Sequence, residues 1–161
     1  MPLLITLAAV GRLKAGPERE LYDRYAGRIA AAGKSLGLGF ALRELPESRA
    51  TSATARKEQE AAALLAVLPE GAVIVALDES GKTVDSRAFA ERIGRWRDDG
   101  TASVAFVIGG ADGHGPALLE RASLRLAFGA MTWPHQLVRI MAAEQLYRAI
   151  TIISGHPYHR D

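Results

Sequence analysis

The amino-acid sequence predicts one α/β domain, built on a mostly parallel sheet that is flanked by helices. Short apolar runs alternate along the chain with helix-compatible segments, strand then helix five times in succession, which is the order typical of a parallel sheet. Neither an internal repeat nor a long linker interrupts this alternation. The 161 residues are enough for one domain with a substantial core, so the predicted domain spans residues 1–161.

The first half of the chain contributes two strands and two helices. Residues 3–10 form an apolar run typical of a buried strand. Pro17 begins a helix that ends near Gly33, because proline and the acidic residues that follow it suit a first helical turn. Residues 37–45 predict a second strand, and the alanine-rich residues 49–68 predict a surface helix. The polar side of that helix carries Arg56, Lys57, Glu58 and Glu60.

The second half of the chain repeats the strand-helix pattern three times. The strands are predicted at residues 72–77, 103–108 and 124–128, the first of them stopping where the polar stretch 78–81 begins. The helices are predicted from residue 85 or 86 to about 98, from Pro116, and from His135 to about Ala149. Asp85 or Ser86 caps the first of these helices, whose apolar face carries Phe89, Ile93 and Trp96.

The glycine-rich stretch A-F-V-I-G-G-A-D-G-H-G-P, residues 105–116, is the most distinctive part of the chain. A short buried strand breaks there at Gly109-Gly110, and a helix starts at Pro116. Because glycine lacks a Cβ and tolerates positive φ, such a turn lets the backbone approach a ligand closely. We therefore predict a cofactor site at the carboxyl end of this strand. An ordinary strand-to-helix turn is the alternative for this stretch taken alone.

Two neighbouring strands are expected to complete this site. If the strands that end at Leu77, Gly109 and Phe128 are neighbours in a parallel sheet, their turns meet at one edge, where backbone groups can hold a flat heterocycle. The apolar residues around it would be Leu77, Ile108 and Met131. A dinucleotide site would instead place G-x-G-x-x-G in the first strand-helix unit, where this chain has only two separated glycines. The sequence therefore disfavours a Rossmann dinucleotide site.

Composition excludes several classes of protein. The sequence has no cysteine, which excludes disulfides, thiolate nucleophiles and zinc-thiolate sites. No apolar run is long enough for a membrane span, and the apolar start lacks the basic flank and cleavage site of a signal peptide. We therefore expect a cytoplasmic protein. The net charge of +2 permits a nucleic-acid partner without demanding one.

Charged and aromatic residues concentrate in the last part of the chain. His135 and Arg139 lie one turn apart on the last helix, as do Glu144 and Arg148, and surface ion pairing is the plain interpretation. The terminal residues bring together imidazole, phenol and guanidinium groups, which suit stacking on bases and binding phosphate. These residues are His156, Tyr158, His159 and Arg160. Two histidines without further clustered ligands do not predict a metal site.

Three stretches of the chain resemble one bacterial family. They are F-V-I-G-G-A-D-G-H-G, then M-T-W-P-H-Q-L-V-R with A-E-Q-L-Y-R-A, and the terminal H-P-Y-H-R-D. Over essentially its whole length the chain resembles the ribosomal RNA large subunit methyltransferase H (RlmH) family, minimal members of the SPOUT class. The resemblance implies an α/β methyltransferase with a C-terminal trefoil knot, an exception among folds, that binds S-adenosylmethionine. It further implies a homodimer that methylates N3 of a pseudouridine in 23S rRNA, presented by the assembled ribosome.

The resemblance also assigns roles to residues of this chain. Cofactor contacts are expected at Leu77, Gly109, Gly110, Gly129, Ala130, Met131, Thr132, Trp133 and Pro134. Beyond what the resemblance assigns, we hypothesise RNA contacts at His135, Arg148, His156, Tyr158 and Arg160. Methylation of an imide nitrogen requires loss of its proton, so a general base or a cation that stabilises the anion is needed. We assign anion stabilisation or substrate orientation to Arg139 and the role of base to His159, and we expect no metal.

Three other functions are open on the sequence. A SPOUT enzyme that acts on transfer RNA would share the fold and the cofactor. A nicotinamide-dependent oxidoreductase would fail to bind S-adenosylmethionine. A ribosome-binding protein without catalysis would bind the cofactor and transfer no methyl group.

Overall fold

The structure is a computed structural model that describes residues 2–160. Within these residues, five strands alternate with five α-helices, which confirms the predicted order of elements. The strands are β1 (Leu3–Val10), β2 (Leu38–Leu45), β3 (Val73–Lys82), β4 (Ser103–Ile108) and β5 (Leu124–Leu126). The helices are α1 (Pro17–Gly33), α2 (Ala53–Val67), α3 (Ser86–Asp98), α4 (Pro116–Arg121) and α5 (His135–Ser154), and a 3-10 turn spans Lys34–Leu36.

The strands form one parallel sheet in the order β2-β1-β4-β3-β5. Apolar side chains of β1 and β4 contribute alternately to two cores, one on each face of the sheet. The larger core holds Phe106, whose ring meets those of Phe89 and Trp96 edge-on at 5.7 and 6.4 Å, and it packs α1, α3 and α5. The smaller core packs α2 and α4 through Leu64 and Leu118. The predicted α/β class is therefore confirmed.

The carboxyl ends of β3, β4 and β5 lie side by side. Leu77 of β3 pairs with Ile108 of β4 and with Leu126 of β5. Because the strands are parallel, the turns that follow them meet at one edge, as the sequence predicts. The start of α5 lies at this edge too, since His135 Nε2 is 3.9 Å from where a Cβ would sit on Gly11, the residue after β1.

Strand β3 is longer than predicted. It continues through the polar stretch 78–81 to Lys82, because its backbone follows the chain of β5, and Ala127 N donates to Lys82 O at 2.8 Å. A Cβ on Gly81 would lie 2.6 Å from the carbonyl carbon of Arg125, so this close approach requires glycine. The polar side chains resemble those of a turn, whereas the backbone contacts that extend the strand leave no pattern in the sequence. Strand β5 is correspondingly shorter than predicted.

Two helix bounds also differ from the prediction. Helix α5 continues to Ser154 instead of ending near Ala149, and it ends where Gly155 adopts the left-handed conformation with φ of 75°. Helix α2 begins at Ala53, later than predicted, because the Ser52 side chain caps it by accepting a hydrogen bond from a backbone N–H of its first turn.

Candidate functional site

A cavity of about 590 Å³ opens at the carboxyl edge of the sheet, between the ends of β3, β4 and β5 and the start of α5. Its volume lies in the range of small-molecule sites, about 300–1,000 Å³. Eight of the nine residues predicted to contact a cofactor line this cavity, and Ala130 is the exception. The eight are Leu77, Gly109, Gly110, Gly129, Met131, Thr132, Trp133 and Pro134. Segments that are distant in sequence therefore surround one space.

The turn after β4, residues 109–115, packs closely on itself, and we call it the glycine turn. A Cβ on Gly109 would lie 3.0 Å from the carbonyl carbon of Gly113, and a Cβ on Gly110 would lie 3.0 Å from Glu60 Oε1. Gly110 and Gly113 form a backbone bridge, and Gly113 has a φ of 85°, which residues with side chains rarely adopt. At these positions the glycine turn lines the cavity with backbone alone.

Helix α2 supports the glycine turn from behind. Arg56 binds Asp112 through two hydrogen bonds of 2.7 and 3.1 Å, and its Nη1 donates to Ala50 O at 3.1 Å. The hydrogen bond from Arg56 lowers the pKa of Asp112. Glu60 is buried, and its Oε2 accepts from Ser48 N at 2.9 Å. The prediction of a solvent-facing polar side was wrong for Glu60, because the loop after β2 and the glycine turn fold over it.

We expect Gly115→Ala to lower the free energy of unfolding by about 1–3 kcal/mol, the usual cost of overpacking. A Cβ on Gly115 would lie 2.6 Å from Lys57 O and 3.2 Å from Ala61 Cβ, so the glycine turn or α2 must move. Urea unfolding followed by circular dichroism measures the change. Gly27→Ala is the matched control, because it lies inside α1 with nothing within 4 Å of the added methyl group, and it should be neutral or stabilising. Equal stabilities of the two variants would contradict this packing.

His114 lies in the glycine turn and joins two strand ends. The residue is 8% exposed, and its Nε2 is 3.1 Å from both Leu77 O and Val107 O. Because both carbonyl oxygens are acceptors, Nε2 carries the proton. Nδ1 is buried, and no group between residues 2 and 160 forms a hydrogen bond with it. Burial lowers the pKa of the imidazole, so the ring is neutral at pH 7.

The burial of His114 predicts that acid destabilises the protein. Its pKa in the folded state lies below the ordinary value of 6.5, so the unfolded state binds more protons at acidic pH. The stabilisation is fully present above about pH 6.5 and is lost as the pH falls through the lowered folded-state value. We expect the wild type to lose more unfolding free energy than His114→Gln between about pH 7.5 and pH 5. Urea unfolding at both pH values measures this, and equal losses would refute it.

The cavity has buried apolar walls and an exposed apolar rim. Leu77 and Ile108 are both buried, as expected of surfaces that face a flat ring. Met131, by contrast, is 74% exposed, and Trp133 is 42% exposed. Met131 therefore stands at the rim in this structure, although the sequence predicted it around the ring.

Arg139 is not among the residues that line the cavity within the described chain. Its side chain is buried, and it donates from Nη1 to Glu44 Oε2 at 2.5 Å and from Nη2 to Gly11 O at 2.9 Å. Glu44 Oε2 also accepts from Leu13 N at 3.1 Å. The guanidinium thus ties α5 to the ends of β1 and β2. The catalytic role of Arg139 stays a prediction, and the contacts it makes here are structural.

The terminal residues pack on the far half of α5. Tyr158 donates its hydroxyl proton to Glu144 Oε1 at 2.9 Å, and its ring lies 4.8 Å from that of Tyr147 in edge-on geometry. The Arg148 guanidinium lies 4.9 Å from the centre of the Tyr158 ring, and it forms an ion pair with Glu144 at 2.6 Å. Arg148 Nη1 also contacts His159 Nδ1 at 3.1 Å. We call these five residues the tail cluster.

The contact with Arg148 determines the tautomer of His159 in this arrangement. A guanidinium can only donate, so Nδ1 of His159 accepts, and the proton of the neutral ring resides on Nε2. Neither ring nitrogen is then available to remove a proton from a substrate. The role of general base therefore requires this contact to break when the substrate binds.

The residues predicted to bind RNA are divided between two places. His135 lines the cavity, whereas Arg148 and Tyr158 belong to the tail cluster. His156 and Arg160 are exposed on the tail, and Asp161, the last residue of the terminal motif, lies outside the described residues. Arg148 follows His135 by thirteen residues along α5, which corresponds to about 20 Å. Within one chain, none of the tail-cluster residues lines the cavity.

Two features of the site were missed by reasoning from the sequence. One is the support of the glycine turn by Arg56 and Asp112, which are 56 residues apart and which no local pattern relates. The other is the bridge that His114 forms between two strands. A histidine set between glycines in a predicted ligand turn was the available signal for this second feature.

Across residues 2–160, every helix is too short or too polar to serve as a bilayer-spanning segment. Over the same span, no three histidine, aspartate or glutamate side chains come together as a metal-binding group.

The structure has a parallel sheet with a glycine-lined cavity at its carboxyl edge. Comparison with known families shows to which class of protein the chain belongs. A family model described as "Predicted SPOUT methyltransferase" matches residues 3–159. The chain belongs to the SPOUT methyltransferase family.

Individual relatives show which SPOUT methyltransferases this chain resembles most specifically. The protein named ribosomal RNA large subunit methyltransferase H from Nitrobacter hamburgensis is 59% identical over 157 residues, which are 97% of this chain and 98% of the relative. The protein of the same name from Brucella anthropi is 57% identical with the same coverage. A solved structure of a putative methyltransferase from Legionella pneumophila, with the cofactor SAM bound, has a TM-score of 0.50 at 17% identity and covers 92% of this chain and 67% of its own. The sequence relatives confirm the resemblance to RlmH, and the solved structure supports the fold.

Proposed function

We propose that this protein transfers a methyl group from S-adenosylmethionine to N3 of a pseudouridine in 23S rRNA, within the assembled ribosome. The SPOUT family match supports methyl transfer, and relatives at 53–59% identity named ribosomal RNA large subunit methyltransferase H support an rRNA substrate. The observation that carries the proposal is the cavity, which gathers eight of the nine predicted cofactor contacts around one space. The choice of pseudouridine and of its N3 atom rests on the family resemblance.

The residues around the cavity fit S-adenosylmethionine. Apolar walls suit the adenine ring, and the bare backbone of Gly109 and Gly110 leaves a cradle that side chains would fill. Asp78 and Glu79 also line the cavity, and their carboxylates complement a cationic sulfonium and ammonium. The remaining acid of the lining, Asp112, is already paired with Arg56.

Methyl transfer from S-adenosylmethionine requires the protein chiefly to position its substrate. S-adenosylmethionine supplies a methyl group that is already activated on a sulfonium. The chain must hold the target nitrogen in line with that group, which is catalysis by proximity, and help it lose its imide proton. We assign RNA contacts to His135, Arg148, His156, Tyr158 and Arg160. Arg139 is proposed to stabilise the anion or orient the substrate, and His159 to act as the base.

We infer that the active form is a homodimer in which the tail of one protomer reaches the cavity of the other. In a single chain none of the tail-cluster residues lines the cavity, and Arg148 lies about 20 Å from His135 along α5. Met131, Trp133 and Leu137 expose large apolar side chains beside the cavity and at the start of α5, and a second copy would cover them. A C-terminal trefoil knot and a location in the cytoplasm, with the ribosomes, belong to the same proposal.

Methyl transfer to isolated ribosomes tests the proposal. Ribosomes from a strain that lacks this protein are incubated with tritiated S-adenosylmethionine, beside free rRNA and tRNA, and the labelled nucleoside is identified by mass. We expect label at N3 of pseudouridine with assembled ribosomes only. Label in tRNA would be consistent with the proposed fold and cofactor but would show that the substrate is tRNA and not rRNA. Cofactor binding without label would indicate a non-catalytic ribosome-binding protein, and failure to bind the cofactor would favour the nicotinamide-dependent alternative.

A further inference from the structure

We propose that His114 is a positioning residue for the cofactor cavity, which holds the ends of β3 and β4 at the separation that the cofactor requires. This inference rests on the proposed use of the cavity for S-adenosylmethionine. His114 lines the cavity, yet it is more than nine-tenths buried and donates one proton towards two carbonyl oxygens on different strands. His114 would therefore affect the affinity for the cofactor indirectly, through the positions of the two strand ends that it joins.

The imidazole of His114 lies at the point where the backbone pairing between β3 and β4 ends. The pairing of β3 with β4 stops at Leu77 and Ile108, and the chain leaves the sheet at Gly109. The ring bonds Leu77 O on one side and Val107 O on the other, so it spans the point at which the strands separate. Leu77, Ile108 and Gly109 all line the cavity. Their relative positions are therefore set in part by the imidazole of His114, which bonds both strands.

Loss of the ring would change the shape of this part of the cavity. Both carbonyl oxygens would lose this donor, and the loss of a buried hydrogen bond is costly. The strand ends would relieve that cost by moving or by admitting water, and either change alters the wall at Leu77. The glycine turn would follow, because His114 lies between Gly113 and Gly115 on the same short segment.

The ring is not placed to exchange protons with a substrate. Nε2 holds its proton for the two carbonyl oxygens, and Nδ1 is buried with no partner in the part of the chain that the structure describes. Asp78 is the charged side chain whose field reaches the ring, and it favours the protonated form, but burial outweighs it. His114 therefore contributes to cofactor binding and not to the chemical step.

Two amide substitutions with different reach test this role. In His114→Gln the side-chain nitrogen extends about as far as Nε2 and offers two N–H donors for the two carbonyl oxygens. In His114→Asn the same amide ends near the position of Nδ1 and cannot reach them. Isothermal calorimetry with S-adenosylmethionine should show a dissociation constant raised about tenfold or more in His114→Asn, the scale of one lost hydrogen bond. In His114→Gln it should stay within about threefold of the wild-type value. The Michaelis constant for S-adenosylmethionine should rise in parallel with the dissociation constant in His114→Asn and stay near the wild-type value in His114→Gln.

The outcomes separate a positioning role from a structural one. If His114→Asn lowers the melting temperature but leaves the dissociation constant unchanged, or if His114→Gln binds the cofactor as weakly as His114→Asn, the inference is overturned. A wild type that does not bind S-adenosylmethionine would instead overturn the proposed function itself. If the His114→Asn variant does not fold, nitrogen-15 NMR of the wild-type histidines tests the inference instead. A ring protonated on Nε2 whose signal shifts when the cofactor is added supports the role, and a ring protonated on Nδ1 refutes it.

Discussion

Removal of residues 157–161 should lower kcat/KM for ribosomes by about 100-fold or more, the scale of lost acid-base catalysis, while the affinity for S-adenosylmethionine stays unchanged. The deletion takes away His159, the proposed base, and two of the proposed RNA contacts. The cavity should be untouched, because none of residues 157–160 lines it. Initial rates of methyl transfer and calorimetric titration with the cofactor measure the two quantities.

The control for this truncation is the stability of the fold. Tyr158 packs on Tyr147 and bonds Glu144, so its loss exposes part of α5. Tyr158→Phe keeps the ring contact and removes only the hydrogen bond, which costs about 1 kcal/mol. Urea unfolding of both variants shows whether inactivity reflects unfolding. A truncated protein that is folded and fully active would exclude every catalytic role assigned to the tail.

Mixed dimers test which cavity each tail serves. One chain lacks residues 157–161, and the other carries Val138→Trp, which places a bulky ring at a residue that lines the cavity. If tails act on the partner's cavity, the mixed dimer regains one complete site, made from the cavity of the truncated chain and the tail of the other. Each variant alone should be inactive. No gain of activity on mixing, despite heterodimer formation, would place the tail and the cavity of one chain together.

Arg139→Met should lower the free energy of unfolding by about 3 kcal/mol, the lower end of the cost of breaking a buried ion pair. The lower end applies because the Glu44 side chain is 28% exposed and keeps its hydrogen bond from Leu13 N. The substitution also removes the donor to Gly11 O, which joins α5 to the end of β1. Equilibrium urea unfolding measures the change.

The double variant Arg139→Met with Glu44→Leu is the matched control. Replacing both charges leaves no unpaired carboxylate, so it should be more stable than Arg139→Met alone. A loss of stability in the single variant that the double variant recovers would establish the pair as structural. If Arg139→Met is instead as stable as the wild type and binds the cofactor but does not transfer methyl groups, the catalytic role predicted from the sequence is supported.

Patterns that span a few residues were readable from the sequence alone. Apolar periodicity located all five strands, because a buried strand needs apolar side chains wherever it lies in the chain. The glycines of the turn after β4 were equally informative, since Gly109, Gly110 and Gly113 meet a local requirement for bare backbone. Because parallel strands end at one edge, the surroundings of the cavity followed from these two observations and the family resemblance.

Contacts between distant segments were decided only by the tertiary structure. Arg139 meets Glu44 across 95 residues, and Arg56 meets Asp112 across 56, because the strand order brings their elements together. The sequence suggested a reactive Arg139, whereas the fold buries it in an ion pair. His114 likewise acquired its two partners only when β3 and β4 became neighbours. Side-chain type is encoded locally, but burial and partners depend on which elements pack together.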